Sequence, residues 1–329
     1  MAVLVAGGAG YIGSHTVAQL LDANEDVVVL DNLQKGHKAA VLGGKFYEGD
    51  LRDETITDKV FTENKIDAVI DFAADSLVGE SVGEPLKYYK NNVGSTVALL
   101  EAMKKHGVKN IVFSSTAATY GEPKSIPILE SDPTVPTNPY GETKLAVEKA
   151  LKWSDNAYGI KYTALRYFNA AGAHISGKIG EDHNPESHLI PIILQAALGQ
   201  REAITVFGSD YDTPDGTCVR DYIHVTDLAE AHVLAVKRLR AGGESIICNL
   251  GNGCGFSVRE VIETARKVTG INIKEIAGAR RAGDPGTLIA SSDKAKAELG
   301  WNPKYNSLET IISTAWEWHK NNPDGYGDK

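Results

Sequence analysis

Two tyrosine–lysine pairs at a spacing of four, Tyr120 with Lys124 and Tyr140 with Lys144, offer this chain a base. A phenol titrates near 10, and an ammonium beside it stabilises the phenolate and lowers that value. The result is a proton acceptor usable near neutral pH. The chain has 13 tyrosines, and about one such match is expected by chance, so context must choose between the two. Tyr120 is followed by Gly121 and Pro123, which forbid a regular helix. Tyr140 follows Pro139 and opens Gly-Glu-Thr-Lys-Leu-Ala-Val-Glu-Lys, a good helix on which residues four apart share a face. The second pair is the catalytic candidate and the first a decoy.

Two further patterns supply partners. Ser114-Ser115-Thr116-Ala117-Ala118-Thr119-Tyr120-Gly121 closes a β-branched run, so a hydroxyl there sits at the carboxyl edge of a parallel sheet and points to the ligand crevice. Gly7-Gly8-Ala9-Gly10-Tyr11-Ile12-Gly13 follows a strand and opens a helix. Glycines there permit the tight turn and the approach of backbone to a pyrophosphate, whose charge lies at the helix N-terminus. Asp31 ends the second strand, where a carboxylate accepts hydrogen bonds from a ribose diol and repels a 2′-phosphate; NAD is therefore expected over NADP.

These groups need a frame. Strand-like runs at 3–6, 27–30, 46–49, 68–72, 111–114 and 162–167 alternate with helical patterns at 12–22, 54–63, 85–105 and 140–155. Six strands separated by crossovers, several apolar on both faces, predict an α/β fold, a doubly wound parallel sheet of the NAD-binding Rossmann type. After about residue 170 the rhythm changes to helices at 190–198, 227–239, 257–268 and 308–320 with short strands between. The expected division is a Rossmann domain over 1–170, joined by parts of 220–252, and a smaller C-terminal α/β substrate-binding domain over 171–329. Five of the 12 prolines fall between residues 121 and 139. That stiff insertion is either plain surface loop or a device that places the start of the Tyr140 helix.

Composition excludes several classes. With 34 basic and 43 acidic side chains in 329 residues, the net charge of −9 argues against nucleic-acid binding. The apolar start at 2–6 is broken at once by glycines, so neither a signal peptide nor a membrane span is expected there. Cys218, Cys248 and Cys254 are odd in number and lack a C-x-x-C spacing, which suits reduced thiols and a cytoplasmic protein. The nine histidines form no metal-like spacing, and His183 and His188 read as loop, so no metal is expected. Asp210, Asp212 and Asp215 have the wrong spacing for a calcium loop, and Gly251-Asn252-Gly253-Cys254-Gly255 reads as a joint into a helix capped by Ser257 and Glu260.

Taken in order, these residues resemble the extended short-chain dehydrogenase/reductase family. Asp71-Phe72-Ala73-Ala74, Val78-Gly79-Glu80-Ser81-Val82, Tyr88-Tyr89-Lys90-Asn91-Asn92-Val93, Arg166-Tyr167-Phe168-Asn169 and Asp215-Gly216-Thr217-Cys218-Val219-Arg220-Asp221-Tyr222-Ile223-His224-Val225 extend the resemblance over essentially the whole chain. The last two segments narrow it to the branch that epimerises UDP-hexoses at C4. The resemblance implies tightly bound NAD, Tyr140 as the base, Lys144 on the phenol and the nicotinamide ribose, and Thr116 on the reacting oxygen. It assigns to the cofactor Gly7, Gly10, Tyr11, Ile12, Gly13, Asp31, Asn32, Asp50, Leu51, Phe72, Ala73, Ala74, Asn91 and Phe168, with Tyr140 and Lys144. To the UDP-sugar it assigns Thr116, Tyr140, Asn169, Leu189, Thr205, Val206, Phe207, Arg220, Tyr222, Arg281, Asp284 and Leu288. Permanently charged, bidentate arginines suit a diphosphate.

Some positions depart from the family pattern. Ser76 stands where many members carry lysine, and Ser187-His188-Leu189 replaces an asparagine-rich version. Thr116 replaces a common serine, and its extra methyl restricts the rotamer. Leu288, four residues after the aspartate of Arg281-Ala282-Gly283-Asp284, is smaller than the tyrosine of strict members, which implies weak activity on UDP-N-acetylglucosamine. The resemblance further implies a homodimer through the helices at 85–105 and 140–155. Two rivals share the fold. The 4,6-dehydratases place an Asp-Glu pair where this chain has Ala117-Ala118, and methyl groups transfer no protons. Non-catalytic NAD sensors lose the tyrosine or lysine, and both are present here.

Overall fold

The computed structural model describes residues 1–281 and 285–327. The first half runs β1 (Ala2–Ala6), α1 (Tyr11–Asp22), β2 (Asp26–Asp31), β3 (Lys45–Glu48), α2 (Glu54–Glu63) and β4 (Ile66–Asp71). It continues through α3 (Val78–Gly83), α4 (Pro85–Tyr88), α5 (Gly94–His106), β5 (Asn110–Ser114), α6 (Pro139–Tyr158) and β6 (Lys161–Tyr167). The second half opens with β7 (Asn169–Ala171), α7 (Leu189–Ala197), β8 (Ile204–Phe207), β9 (Val219–Arg220), β10 (Tyr222–His224) and α8 (Val225–Arg240). It closes with β11 (Ile246–Leu250), β12 (Phe256–Ser257), α9 (Val258–Thr269), β13 (Glu275–Gly278), β14 (Thr287–Leu288), α10 (Asp293–Leu299) and α11 (Leu308–Asn321).

Among the described residues, seven strands form one sheet in the order β11-β6-β5-β4-β1-β2-β3, parallel at every recorded pairing. The period of two in β1 sorts its residues. Val3 and Val5 pack under α1 and α8, and Leu4 and Ala6 pack under α2, α5 and α6. Both faces are therefore covered, as a doubly wound sheet requires. The sequence predicts six of these strands; the seventh, β11, returns from the second half to pair with β6. α8 returns with it and lies against α1. A separate core joins α7, α9 and α11 through Ile193, Leu194, Val261, Ile262 and Ile311.

The expected helix over 85–105 is not continuous. A π-helical turn, Tyr89–Val93, separates α4 from α5. The wider turn lets Asn92 accept from the Asp75 amide at 2.8 Å and Asn91 donate to the Asp75 carboxylate at 2.9 Å. The proline-rich insertion is pinned. Buried Ile128 pairs with Ala290, its amide donating to Ile289 at 2.8 Å and its carbonyl accepting from Ser291 at 3.0 Å. Asn138 then caps α6 with its side chain on the Gly141 amide at 2.9 Å, and Pro139 occupies the first turn. The insertion thus sets where the Tyr140 helix begins.

Candidate active site

At the carboxyl ends of β1, β2 and β4 opens a cleft of about 610 Å³. Gly7 has φ +74°, and a Cβ on it would stand 2.8 Å from the Ala73 amide. A Cβ on Gly13 would stand 2.2 Å from the Gly7 carbonyl, so the first turn of α1 closes on the loop only as glycine. Asp31 fixes this loop: its carboxylate accepts from the Ala9 amide at 2.9 Å and the Leu33 amide at 2.8 Å. The cleft wall also contains Gly10, Asn32, Asp50, Leu51, Phe72, Ala73, Ala74 and Asn91, so ten residues assigned to the cofactor meet in one place. Asp50 is held well below the usual carboxylate range, first by the Arg52 guanidinium that grips it at 2.8 Å and 2.5 Å.

Other assigned residues lie around this wall. Tyr11 packs edge-on against His183 and donates to the Gly172 carbonyl at 2.6 Å. Ile12 packs into the core beneath the sheet, and Ser76 is exposed. The sequence reading missed Gln34, Lys35, Asp75 and Ser95, which also line the cleft. Gln34 and Lys35 lie three and four residues after Asp31, so the loop after an acid-ended second strand was the available signal. A dinucleotide fits this wall. The glycine turn leaves the space that a side chain would fill, and the acid stands at the end of β2.

The reacting groups sit beside it. Thr116 follows β5 and accepts from the Ala118 amide at 3.1 Å, starting a short turn over Ala117–Tyr120. A Cβ on Gly141 would approach the Ala118 carbonyl to 2.6 Å, so only glycine lets α6 come this close to the turn. Tyr140 is thereby brought against the Thr116 hydroxyl. Lys144 is buried, donates to the Ser114 carbonyl at 2.8 Å and lies 4.9 Å over the Phe113 ring. Asp71, also buried, accepts from the Thr96 hydroxyl at 2.8 Å and acts on Lys144 through its charge.

The electrostatics correct one expectation. Burial pushes the Tyr140 phenol up, and the hydroxyl of Thr116 offsets this only in part. Lys144, turned to a carbonyl and taken out of water, is itself lowered to about 8, with the Asp71 charge resisting the drop. In this arrangement Thr116, not Lys144, is the side chain that eases ionisation of Tyr140. Tyr120 has a structural place. It is buried, donates to Asn249 at 2.6 Å and lies under the Arg166 guanidinium. Arg166 in turn pairs with Glu148 of α6 at 2.5 Å, both buried.

Residues assigned to the sugar nucleotide fall into three groups, the first of them beside Phe168, which was assigned to the cofactor. Phe168 and Leu288 pack on Ala117, Tyr120 and Ile128, directly behind the Thr116 turn. Asn169 donates to the Asp221 carbonyl at 3.0 Å, which ties β7 to Arg220 and Tyr222 on either side of Asp221. Arg220 donates to the Val219 carbonyl at 2.8 Å and pairs in register with Leu288. Leu189 is the first residue of α7. Farther along, Arg281 lies 4.1 Å over the ring of Phe207, which ends the strand holding Thr205 and Val206. Asp284 is outside the described residues. His183 and His188 do lie in loop, yet the fold gathers them with Glu181 and Glu186, and donor atoms of all four come within 4.8 Å of one another. No helix among the described residues is long and apolar enough to cross a membrane.

Residues 3–251 match the NAD dependent epimerase/dehydratase family. A UDP-glucose 4-epimerase of Halalkalibacterium halodurans is 64% identical over 326 residues, spanning 99% of this chain and 98% of its own. The solved structure of a UDP-glucose 4-epimerase from Brucella ovis, in complex with NAD, is 50% identical with a TM-score of 0.94, covering 95% of this chain and 97% of its own. A UDP-Glc/GlcNAc 4-epimerase from Campylobacter jejuni is 44% identical with a TM-score of 0.86, covering 97% and 99%.

Proposed function

The chain belongs to the NAD dependent epimerase/dehydratase family, and from that membership we propose that it interconverts UDP-glucose and UDP-galactose by reversible oxidation at C4. The observation that carries this reading is the close approach of α6 at Gly141 to the turn after Thr116, which sets Tyr140 near the Thr116 hydroxyl and beside the glycine-walled cleft. The turn after Thr116 presents only the methyl groups of Ala117 and Ala118, so a second acid for dehydration is missing from that place.

Gly7, Gly10, Asp31, Asn32, Asp50, Phe72, Ala73 and Asn91 hold the dinucleotide, and Lys144 holds the ribose nearest the reaction. NAD held there would supply the two-electron acceptor for the hydride at C4, with a positive nicotinamide ring in its oxidised form only. Tyr140 takes the 4-hydroxyl proton and returns it to the same oxygen once the turned sugar has presented the opposite face of C4 to the hydride. Thr116 hydrogen-bonds the reacting oxygen. Its hydroxyl already relieves part of the burial that opposes tyrosinate. Arg220, with Arg281 and Asn169, holds the diphosphate and uridine end while the sugar turns.

Leu288 behind the Thr116 turn is shorter than a tyrosine, which leaves room for an N-acetyl group and supports a side activity on UDP-N-acetylhexosamines. The division into a Rossmann domain over 1–170 with parts of 220–252, and a substrate domain over 171–329, is supported by α8 packing on the first sheet and β11 pairing with it. A homodimer is supported by Val82, Leu86 and Trp153, 64%, 81% and 71% exposed on α3, α4 and α6. Free thiols at buried Cys248 and exposed Cys254 favour the cytoplasm. The test is a coupled assay on purified protein with no added cofactor. UDP-galactose is expected to yield UDP-glucose, and UDP-N-acetylgalactosamine to react more slowly. Absence of turnover of the first refutes the epimerase reading.

A further inference from the structure

The loop ahead of α7 carries Glu181, His183, Glu186 and His188, four side chains the reaction above does not use. Glu181 Oε1 stands 3.0 Å from His183 Nδ1 and 2.7 Å from His188 Nδ1. Glu186 reaches the same rings, with Oε1 3.1 Å from His188 Nδ1 and Oε2 3.9 Å from His183 Nδ1. Tetrahedral ligands about 2.1 Å from an ion lie about 3.4 Å apart, inside this spread.

Charge points the same way. The two carboxylates are 3% and 4% exposed, and a buried pair of negative charges needs matching positive charge. Two imidazolium rings supply it, and so does one divalent ion between neutral rings. The contacts leave a place for the ion: His188 Nδ1 lies 2.7 Å from a Glu181 oxygen and 3.1 Å from a Glu186 oxygen, with neither approach well directed for a hydrogen bond. Glu186 is held as ligating carboxylates are, accepting from the Ser187 and His188 amides at 2.7 Å each. The Tyr11 ring stacks edge-on to His183 from the glycine turn.

We propose that Glu181, His183, Glu186 and His188 form a divalent transition-metal site of two nitrogens and two oxygens, suited first to Zn²⁺, that clamps this loop to the start of α7. Its role is positional. It fixes Leu189, the next residue, relative to Tyr11 across the loop.

The test titrates chelator-treated full-length protein with Zn²⁺ by calorimetry and with Co²⁺ by visible absorption. One ion per chain and tetrahedral Co²⁺ bands are expected. His183→Asn and Glu186→Gln should each weaken binding by about 10- to 100-fold. Cys254→Ala, which removes the exposed thiol, should leave it unchanged. Electron paramagnetic resonance of the Cu²⁺-loaded unmodified protein should show two coupled nitrogens, a readout that does not depend on any variant folding. Failure to take up Zn²⁺ and Co²⁺ at micromolar concentration, binding lost in Cys254→Ala but kept in His183→Asn, or a Cu²⁺ spectrum without nitrogen coupling overturns the proposal and leaves two imidazolium–carboxylate pairs.

Discussion

Gly7, Asn32, Asp50 and Phe72 ride on successive turns of one sheet, each one or two residues past the end of a strand, and Asn91 joins them from the π turn. Asn169, Leu189, Thr205, Arg220 and Leu288 come instead from five separate elements, four of them in two- and three-stranded patches outside that sheet. The means of support differ accordingly. Asp31 and Asp71 hold the cofactor side through amides two residues on, at Leu33 and Ala73, with one bond to Ala9, distant in sequence. The substrate side hangs on distant links: Ile128 to Ile289 and Ser291, Tyr120 to Asn249, Asn169 to Asp221. A site built on local turns tolerates change elsewhere in the chain. One assembled from distant segments responds to perturbation far from the ligand.

The largest expected effect lies where the two sides meet. Tyr140→Phe should lower kcat by about 10²- to 10⁴-fold, as loss of a general base does, while NAD stays bound. Near-normal turnover would remove Tyr140 from its role. Next, Asp31→Ala should weaken NAD affinity by about 10- to 100-fold through the Ala9 and Leu33 amides it strands, with kcat at saturating NAD little changed. If kcat falls with the affinity, the cofactor side is not the local unit described above. Arg220→Lys, on the substrate side, should raise KM by about tenfold because a point charge replaces a fork, and NAD retention should not move. Loss of NAD in that variant would dissolve the distinction.

Smaller effects probe the distant links. Tyr120→Phe deletes one bond to Asn249 and should cost about 1 kcal/mol in a denaturant titration, with kcat altered only a few-fold. Asp221, buried with the Asn252 amide at 2.8 Å as partner, has its carboxyl pushed up to about 7 by desolvation. The folded chain then holds a proton that the unfolded chain releases near pH 4, so this group's stabilisation is lost as pH rises from about 4 through about 7. Asp221→Asn should flatten that slope. Melting temperatures of both proteins at about pH 5 and about pH 8 check it, and an unchanged difference assigns the slope to another group.

Legibility followed the same divide. The glycine turn, Asp31 and the Tyr140–Lys144 spacing were readable because each is a local pattern with one geometric solution. The π turn at Tyr89–Val93 was not, since the helical periodicity of the flanks runs through it unbroken. Parts of 220–252 were expected to rejoin the first domain, but nothing in residues 246–250 marks β6 as their partner. The direction of the Tyr140 shift was also hidden. Spacing says that Lys144 shares a helix face, whereas the bond to the Ser114 carbonyl decides where its ammonium points. Glu181, His183, Glu186 and His188 follow no familiar ligand spacing, and the bend of the loop brings them together.

The return of β11 to the edge of β6 has a consequence during synthesis. When residue 167 leaves the ribosome, the growing sheet ends in a bare edge whose neighbour is encoded 83 residues later, at residue 250. At about 5–20 residues per second, that edge waits roughly 4–17 s for its own strand. During the wait it can be extended by any passing strand. The nascent chain is therefore most in need of chaperone shelter while the segment between residues 167 and 250 is being translated.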